Sequence, residues 1–531
     1  MNRLLSRANK RVSLGNAATL LIVVALLSQI LGFFRNRLIS TNIAQLHPGS
    51  TDAFFAAFEI PDFFFLTIAA GALGVAFMPV LADRLEKFDK EAVWELTSSL
   101  LNLLTIIMLV ASVFIFIFAR PLIHYVVAPQ LAPVNLDKAT VIMRLVALNP
   151  LLFTVSGIIT SMEQTFGRFF FYALAPLFYN MSIIVSLYVF KSNIGVVGLG
   201  IGALVGACLQ LLVACLGLIG LGFKWRPKIN FRSSDFNIVA HNLPARSIDQ
   251  GIDSINSIVE VNRATKLGEG VVTNYTFATT LMNVPIMLFG TSIATAAFPR
   301  LNERLAQNRP DLFHKDFFRI MQTMIWIAMP VVVVSYFGRG YLARLLYGDN
   351  APTVSLIFGY LVVAIFFRIM YSIVSRFYYA QKDTRTPLFV SLFAIALNIF
   401  LAFTLARPQP LGYGIAGLAL AQSIVAVVEV ALLILIMLSR DPYLFNKDFW
   451  NACVRIVSVT GFSALAGYVM VRLLPLRLTD RGFVTLGFKI GLIGGVTILV
   501  HVAISALFGL EEAQIAIRKV TRLLLKPIRI Q

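Results

Sequence analysis

The sequence is short of charge, cysteine and histidine. Only 13% of its 531 residues are charged, whereas a soluble domain of this length usually has about 25%. So little charge cannot cover a surface that faces water, which excludes an ordinary soluble protein. The three cysteines form no C-x-x-C pair and the five histidines are scattered, so neither disulfides nor a metal site are predicted.

The sequence also lacks the patterns of an enzyme. It contains no recognisable nucleophile–base pair, nucleotide-binding motif or metal-ligand spacing. The glycines from Gly198 to Gly206 lie within an apolar run and follow no βα unit. They therefore indicate close helix packing and not a phosphate loop. We predict no catalytic residues and no cofactor.

Long apolar runs are what the sequence has in abundance. Hydrophobic residues make up 58% of the chain, and a membrane-spanning helix needs about 20 mostly apolar residues in succession. About 14 segments satisfy that length, which predicts an all-α, polytopic membrane protein. The segments lie near 17–37, 53–81, 96–119, 139–162, 170–190, 194–222, 241–263, 271–299, 317–338, 353–379, 386–406, 411–439, 450–473 and 483–509.

Basic residues predict the orientation of these helices. Lys and Arg outnumber Asp and Glu by 45 to 26, which gives a formal charge of +19. If the N-terminus is cytoplasmic, the cytoplasmic loops contain roughly twice as many Lys and Arg as the outer loops. This bias favours an even number of helices and both termini in the cytoplasm. The basic segments of the chain are expected to contact anionic membrane lipids and not nucleic acid.

Two repeated motifs predict an internal duplication. FMPVLADRL at 77–85 corresponds to AFPRLNERL at 297–305, and PLF occurs at Pro176 and again at Pro387. Two six-helix pseudo-symmetric lobes with a substrate site between them are a known transporter architecture. We expect a cytoplasmic segment (1–16), an N-lobe (17–222), a cytoplasmic amphipathic linker (223–240), a C-lobe (241–440), two C-terminal helices (441–510) and a basic cytoplasmic tail (511–531).

The seventh predicted helix has a polar stripe. Its polar residues recur at three- and four-residue steps, which places them on one face. They are Arg246, Asp249, Gln250, Asp253, Asn256, Ser257, Glu260 and Arg263. An amphipathic helix on the membrane surface usually has a mainly basic polar face, whereas this stripe mixes acids, bases and amides. We therefore favour a span whose stripe lines a water-filled cavity over a surface helix.

Charged residues also occur in the first two predicted helices. Glu59 and Asp62 lie one turn apart, and acids within a span are candidates for binding a coupling proton or cation. Asp52 directly precedes an apolar run, so it either caps the second helix, which we favour, or binds substrate. Arg35 is either a functional cation or a side chain that snorkels from the outer end of the first helix.

Three parts of the sequence resemble the MurJ (MviN) family of lipid II flippases, which belongs to the superfamily of polysaccharide and multidrug exporters. They are LGFFR at 31–35 with TDAFFAAF at 51–58, APLFYN at 175–180 with GVVGLGIG at 195–202, and FYYA at 377–380 with KDTRTP at 382–387. The resemblance covers most of the first twelve helices. It implies a flippase that binds a lipid-linked sugar diphosphate in a central cationic cavity. Rocking of the two lobes would then expose the substrate to cell-wall synthesis enzymes outside.

The resemblance also shows where this sequence departs from the family pattern. Gln29 stands where the family usually has Arg, and Phe65 and Leu66 stand where it has a basic pair. The implied cavity arginine that remains is Arg35, and the polar stripe is expected to supply further positive charge. The candidate substrate-binding residues are Arg35, Gln29, Asp52, Arg246, Asp249, Asp253, Asn256 and Arg263, and the candidate ion-coupling residues are Glu59, Asp62 and Glu260.

Three functions remain open from the sequence. The first is a flippase for lipid-linked peptidoglycan precursor. The second is an exporter of another lipid-linked oligosaccharide, or an ion-coupled antiporter, with the same fold. The third is a transport-inactive scaffold that recruits cell-wall synthesis enzymes through its cytoplasmic loops.

Overall fold

The structure is a computed structural model. It describes residues 14–44, 47–70, 77–87, 89–408, 410–441, 445, 447–477, 479–480 and 482–524, and within these it describes no side chain at 14–19, 22, 48, 70, 242–250, 516 or 519–524. The described residues form helices joined by turns and short loops, with no strand among them. The predicted all-α class is therefore confirmed.

The chain divides into two compact units, Met1–Thr273 and Asn274–Gln531. The first unit contains nine described α-helices: α1 Leu14–Ile39, α2 Pro48–Phe64, α3 Met78–Glu86, α4 Lys90–Pro121, α5 Pro133–Val146, α6 Asn149–Thr165, α7 Phe170–Phe190, α8 Val196–Gly217 and α9 Ser234–Thr265. Three of these helices run on into wider π-helical turns, which we name π1 (Ser40–Ala44), π2 (Phe65–Ala70) and π3 (Leu122–Val127).

The second unit has a similar content of helices. Helix α10, Val271–Pro285, begins at the boundary between the units and continues through a fourth π-helical segment, π4 (Ile286–Thr291). The remaining described helices are α11 Ser292–Ala306, α12 Pro310–Tyr347, α13 Ala351–Ala380, α14 Arg385–Leu405, α15 Ile415–Arg440, α16 Lys447–Leu473, α17 Phe483–Leu507 and α18 Glu511–Leu524, with a 3-10 turn at Gly348–Asn350.

Eleven described segments are long and apolar enough to span a membrane. One of them, Pro310–Ala380, contains both α12 and α13, whereas α2 and α9 lie in none of the eleven. Helix α2 is short and α9 is rich in polar residues, so neither satisfies a rule based on length and hydropathy. The protein is a multi-pass membrane protein, and the count of fourteen helices stays a prediction.

Close packing of small residues joins α7 and α8. A Cβ atom on Gly202 would lie 2.0 Å from Ser186 Oγ, so only glycine lets the two backbones approach this closely. Because lipid is as apolar as the helices themselves, helix association in a membrane depends on such contacts between small residues. The packing predicted for the Gly198–Gly206 stretch is therefore what the structure contains.

The repeated motif of the sequence has a matching structural role in both units. Arg84 of α3 forms a two-pronged ion pair with Asp235, with both N–O distances 2.6 Å. Arg304 of α11, at the same place in the second copy, pairs with Asp316 at 2.9 Å. The PLF repeat is different, since Pro176 lies well inside α7 whereas Pro387 lies in the first turn of α14. The two PLF copies therefore do not occupy equivalent helix positions.

Two predicted boundaries differ from the observed helices. The span predicted at 139–162 is two helices, because α5 ends at Val146 and α6 begins at Asn149. Pro150 has no backbone N–H to continue a helix, which explains the break at this point. Helix α9 begins at Ser234 and so includes part of the predicted linker 223–240. The six-and-six division of the lobes stays a prediction.

Candidate functional site

Arg35 is held inside the first unit by two asparagines. Its Nη1 donates to Asn180 Oδ1 of α7 at 2.9 Å, and its Nε and Nη2 donate to Asn36 Oδ1 at 3.3 and 3.1 Å. The helical path continues past Arg35 through Ile39 and π1 to Ala44, so Arg35 does not lie at the helix end where the snorkelling alternative placed it. Its guanidinium keeps its charge at any physiological pH and is fixed in place by neutral partners.

Helix α9 packs closely on π2, and this contact positions the polar stripe. A Cβ atom on Gly251 would lie 2.8 Å from Thr67 Oγ1, so the two elements touch at a glycine. Farther along α9, Asn262 Nδ2 donates to the Val126 carbonyl of π3 at 2.7 Å. Glu260 of the stripe is 6% exposed, whereas Asp253 of the stripe is exposed and Ile255 on the apolar face is 45% exposed. Part of the stripe is thus buried within the unit, and the cavity-lining span stays a prediction.

Three predicted ion-coupling acids lie in one region of the first unit. Ser257 of α9 hydrogen-bonds Glu59 of α2, which also lies within electrostatic range of Asp62 and Glu260. Glu260 is 6% exposed and accepts from Asn256 Nδ2 at 3.0 Å. Packing of α9 against α2 therefore brings together acids that are far apart in the sequence.

Arg35 belongs to the same region as these acids. Tyr179, next to the arginine's partner in α7, lies within electrostatic range of both Asp62 and Arg35. Asp62 is exposed on the surface of the first unit. The region thus contains a fixed cation, several carboxyl groups and neutral hydrogen-bonding groups inside a membrane protein. Such intramembrane groups usually mark an ion or substrate pathway.

Asp52 caps a different helix from the one predicted. Helix α2 begins at Pro48, so Asp52 lies inside it and does not cap it. Its Oδ2 accepts from Gly270 N at 2.6 Å, and its Oδ1 accepts from Thr273 N at 2.8 Å and Thr273 Oγ1 at 2.6 Å. The side chain is buried, and it satisfies backbone N–H groups at the start of α10. Asp52 is thus a positioning residue for the α9–α10 connection.

The other predicted substrate-binding residues are spread along α1 and α9. Gln29 and Asp253 are exposed, whereas Arg263 is partly buried. The side chains of Arg246 and Asp249 lie outside the residues whose side chains the structure describes. The expected contribution of Arg246 to the cavity charge therefore stays a prediction.

The DTRTP motif forms a tight connection between α13 and α14. Asp383 accepts from Thr386 N at 3.0 Å, Thr386 Oγ1 at 2.7 Å and Arg440 Nη1 at 2.7 Å. Burial alone would raise the pKa of Asp383, but the hydrogen bonds from Thr386 and Arg440 lower it to about 2. The motif thus caps α14 and ties it to the end of α15.

Sequence reasoning missed the groups that fix the site residues. Asn36 and Asn180 orient Arg35, and Ser257 contacts Glu59 although its role in the stripe was unassigned. An asparagine within an apolar run is the signal that could have identified Asn180, because a buried amide needs a partner. Among the described residues, no group of three or more His, Cys, Asp or Glu is arranged to hold a metal ion.

The helical architecture and the buried charges define a membrane transporter. The fold is similar to that of a solved lipid II flippase MurJ in an inward closed conformation, with a TM-score of 0.74, 22% identity, and coverage of 92% of this chain and 98% of that one. It is also similar to an inward-facing multidrug resistance MATE family transporter of the MOP superfamily, with a TM-score of 0.64, 16% identity, and coverage of 78% and 95%.

The chain belongs to the lipid II flippase MurJ family, whose family model matches residues 49–486. Similar relatives include a probable lipid II flippase MurJ of Borreliella burgdorferi, 25% identical over 80% of this chain and 83% of the relative. Another is the probable lipid II flippase MurJ of Thermotoga maritima, 25% identical over 93% of this chain and 96% of the relative. The resemblance found in the three sequence segments is therefore confirmed.

Proposed function

We propose that this protein moves lipid II, the lipid-linked peptidoglycan precursor, from the cytoplasmic to the outer leaflet of a bacterial plasma membrane. The family membership supports this assignment. The single structural observation behind it is Arg35, a guanidinium held on Asn180 within the first unit, at the position where the family resemblance implies a cavity arginine. Both termini would lie in the cytoplasm, as the loop charges favour.

The physical task explains why such a site is needed. A diphosphate and its sugars cannot cross about 30 Å of hydrocarbon without groups that replace their hydration. An arginine suits this role because its planar guanidinium binds phosphate oxygens in a bidentate manner. The lipid tail can remain in the bilayer while the polar head crosses through the protein.

The acids of the first unit would supply the coupling step. Glu59, Asp62 and Glu260 would bind a proton or cation whose movement favours one conformation. The flippase would then alternate between inward- and outward-open states as this ion is taken up and released. Cell-wall synthesis enzymes on the outer side would consume the product and are the expected functional partners.

A rescue experiment tests this function. The protein is expressed in a bacterium depleted of its own lipid II flippase, and the amount of precursor accessible at the outer face is measured. We expect rescue by the natural sequence and its loss with Arg35→Ala. Arg37→Ala is the matched control, because Arg37 lies two residues further along α1 and points to another side of the helix. Failure to rescue despite correct insertion would oppose lipid II as the substrate.

The carboxyl groups of α2 favour a second candidate. A site in which Glu59 and Asp62 accompany Arg35, without the usual family arginines, also suits an ion-coupled antiporter or an exporter of another lipid-linked oligosaccharide. Cation-dependent transport that is lost with Glu59→Gln, in a protein that fails to rescue, would support this candidate. Co-purification of cell-wall enzymes without any substrate-dependent conformational change would instead support the scaffold hypothesis.

A further inference from the structure

A second arginine within a predicted span lies in the second unit. Arg368 is near the middle of α13, and its Nη1 donates to Glu429 Oε2 of α15 at 3.0 Å. The two partners differ in exposure, since 32% of the Arg368 side chain is accessible but only 4% of the Glu429 side chain. Charged side chains at this depth usually face the bundle interior or a water-filled cavity. About a third of the Arg368 side chain is therefore accessible at the surface of the second unit.

A hydrogen-bond network from three helices fixes this ion pair. Ser391 Oγ of α14 donates to Glu429 Oε1 at 2.9 Å, and Tyr371 OH of α13 lies 3.0 Å from Ser391 Oγ. Each carboxylate oxygen of Glu429 thus has a partner, and the carboxylate cannot swing away freely. Since Glu429 is held in this way, it orients the guanidinium of Arg368 in turn.

The guanidinium has donors left over. An arginine side chain has five N–H donors, and among the described residues only Nη1 of Arg368 has a hydrogen-bond acceptor. The remaining N–H groups on Nε and Nη2 therefore have no partner in the described part of the chain. Leaving donors of a charged group unsatisfied within a membrane is costly unless water or a ligand meets them. The geometry suits an oxyanion that binds through two oxygens.

We propose that Arg368 is a binding site for a phosphate oxyanion in the second unit and that Glu429 is its positioning residue. The ligand class is a lipid diphosphate, an identification that rests on the proposed flippase function. A guanidinium is the side chain best matched to phosphate geometry. This site supplies positive charge in a chain where Gln29, Phe65 and Leu66 replace the usual basic residues of the family.

Replacing the two partners separately gives opposite results if this assignment is right. Arg368→Gln removes the donors and weakens anion binding. Glu429→Gln keeps a polar group that can bond Arg368 and Ser391 but removes the negative charge that repels the anion, so binding becomes tighter. An ion pair with a purely structural role would show no change in ligand affinity in either variant.

The test measures binding to the full chain in nanodiscs of phosphatidylcholine, with farnesyl diphosphate as the probe. We expect Arg368→Gln to weaken its affinity about tenfold or more, because one charge-assisted, bidentate contact is lost. Glu429→Gln should strengthen it, and the control Arg339→Gln should leave it unchanged, since Arg339 is occupied with the Tyr336 carbonyl and ring. The double variant Arg368→Gln/Glu429→Gln leaves no unpaired buried charge and should bind as weakly as Arg368→Gln.

Several outcomes would overturn the assignment. One is an unchanged farnesyl diphosphate affinity in both folded variants that lack Arg368. Another is equal weakening by Arg368→Gln and Glu429→Gln. A third concerns a parallel series in which phosphatidylglycerol is added to the nanodiscs. If Arg368→Gln changes the binding of phosphatidylglycerol but not that of farnesyl diphosphate, the site is one for a bulk anionic lipid. Binding requires no transport, so a chain that fails the rescue experiment but needs Arg368 for farnesyl diphosphate would refute the flippase proposal and leave this one intact.

Discussion

Removal of the Asp52 carboxylate is expected to loosen the start of α10. The side chain is 1% exposed and accepts three hydrogen bonds, from Gly270 N, Thr273 N and Thr273 Oγ1. In Asp52→Ala, two backbone donors at a helix start lose their acceptor, and the Thr273 hydroxyl keeps only Thr51 Oγ1, at 2.9 Å. Hydrogen bonds to a charged group contribute about 1.5–3 kcal/mol each but are not additive. We estimate a loss of about 3–5 kcal/mol for the set.

Hydrogen exchange measures this effect locally. Because each 1.4 kcal/mol is a factor of ten, the protection of the Gly270 and Thr273 amides should fall roughly 10²- to 4 × 10³-fold in Asp52→Ala. Asp52→Asn keeps one acceptor oxygen, so the protection of the same amides should fall about tenfold or less. Thr273→Ala removes only the hydroxyl contact and is the matched control. Amides elsewhere in the first unit, such as those of α8, should keep their protection.

Two results would refute this reasoning. If the exchange rates of Gly270 and Thr273 are unchanged in Asp52→Ala, the carboxylate does not hold the start of α10. If Asp52→Asn abolishes rescue without changing exchange, Asp52 acts on substrate directly, as the sequence alone allowed. Both measurements use the same purified variants, so folding failure is detected by global loss of protection.

The remaining predictions concern the DTRTP motif between α13 and α14, the contact between α9 and π2, and the Arg35 site. The pKa of Asp383 is lowered to about 2, against about 3.9 for an unfolded chain, so its stabilising contribution is present above about pH 4 and is lost as the pH falls towards 2. The difference in thermal stability between the natural protein and Asp383→Asn, about 1–2 kcal/mol after allowance for solvent screening, should therefore shrink over that range, and a difference that persists at pH 2 would contradict it. Gly251→Ala should destabilise the protein by about 1–3 kcal/mol through its clash with Thr67. In a Thr67→Ala background the same change should stabilise by about 1 kcal/mol, because the clash is gone and alanine favours a helix, and urea unfolding of all four variants checks this reversal. Asn180→Asp should neutralise Arg35 and reduce precursor accessibility in the rescue assay about tenfold or more, whereas Asn180→Gln should retain most of it.

Much of the fold could be predicted because lipid imposes a simple rule. The length of each apolar run indicates where a membrane-spanning helix lies. Helices α7 and α17 lie where their apolar runs predicted them. The shared face of the α9 stripe was also visible, since helical periodicity alone shows which residues share a face. Pro133–Thr165 satisfies the rule as one span although Pro150 divides it into α5 and α6, whereas α2 and α9 do not satisfy it.

The contacts of the site could not be predicted in the same way. Asp52 and Gly270 are 218 residues apart, and Arg35 and Asn180 are 145 residues apart. No local pattern specifies which distant donor will meet a given carboxylate. The sequence therefore identified Arg35 as a candidate but gave no partner for it. It also assigned Asp52 to the nearest helix start, which is the wrong one.

The π-helical segments allow a conclusion about the history of the chain. A π turn contains one more residue than the α-helix around it needs, so each segment corresponds to a single-residue insertion. Segment π2 (Phe65–Ala70) precedes Pro79 by the same distance, to within one residue, as π4 (Ile286–Thr291) precedes Pro299. Two independent insertions at equivalent places are a less simple explanation than one insertion in a common ancestor of the halves. If the two halves arose by duplication, as the repeated motif predicts, a single insertion before that event accounts for the widened turn in both.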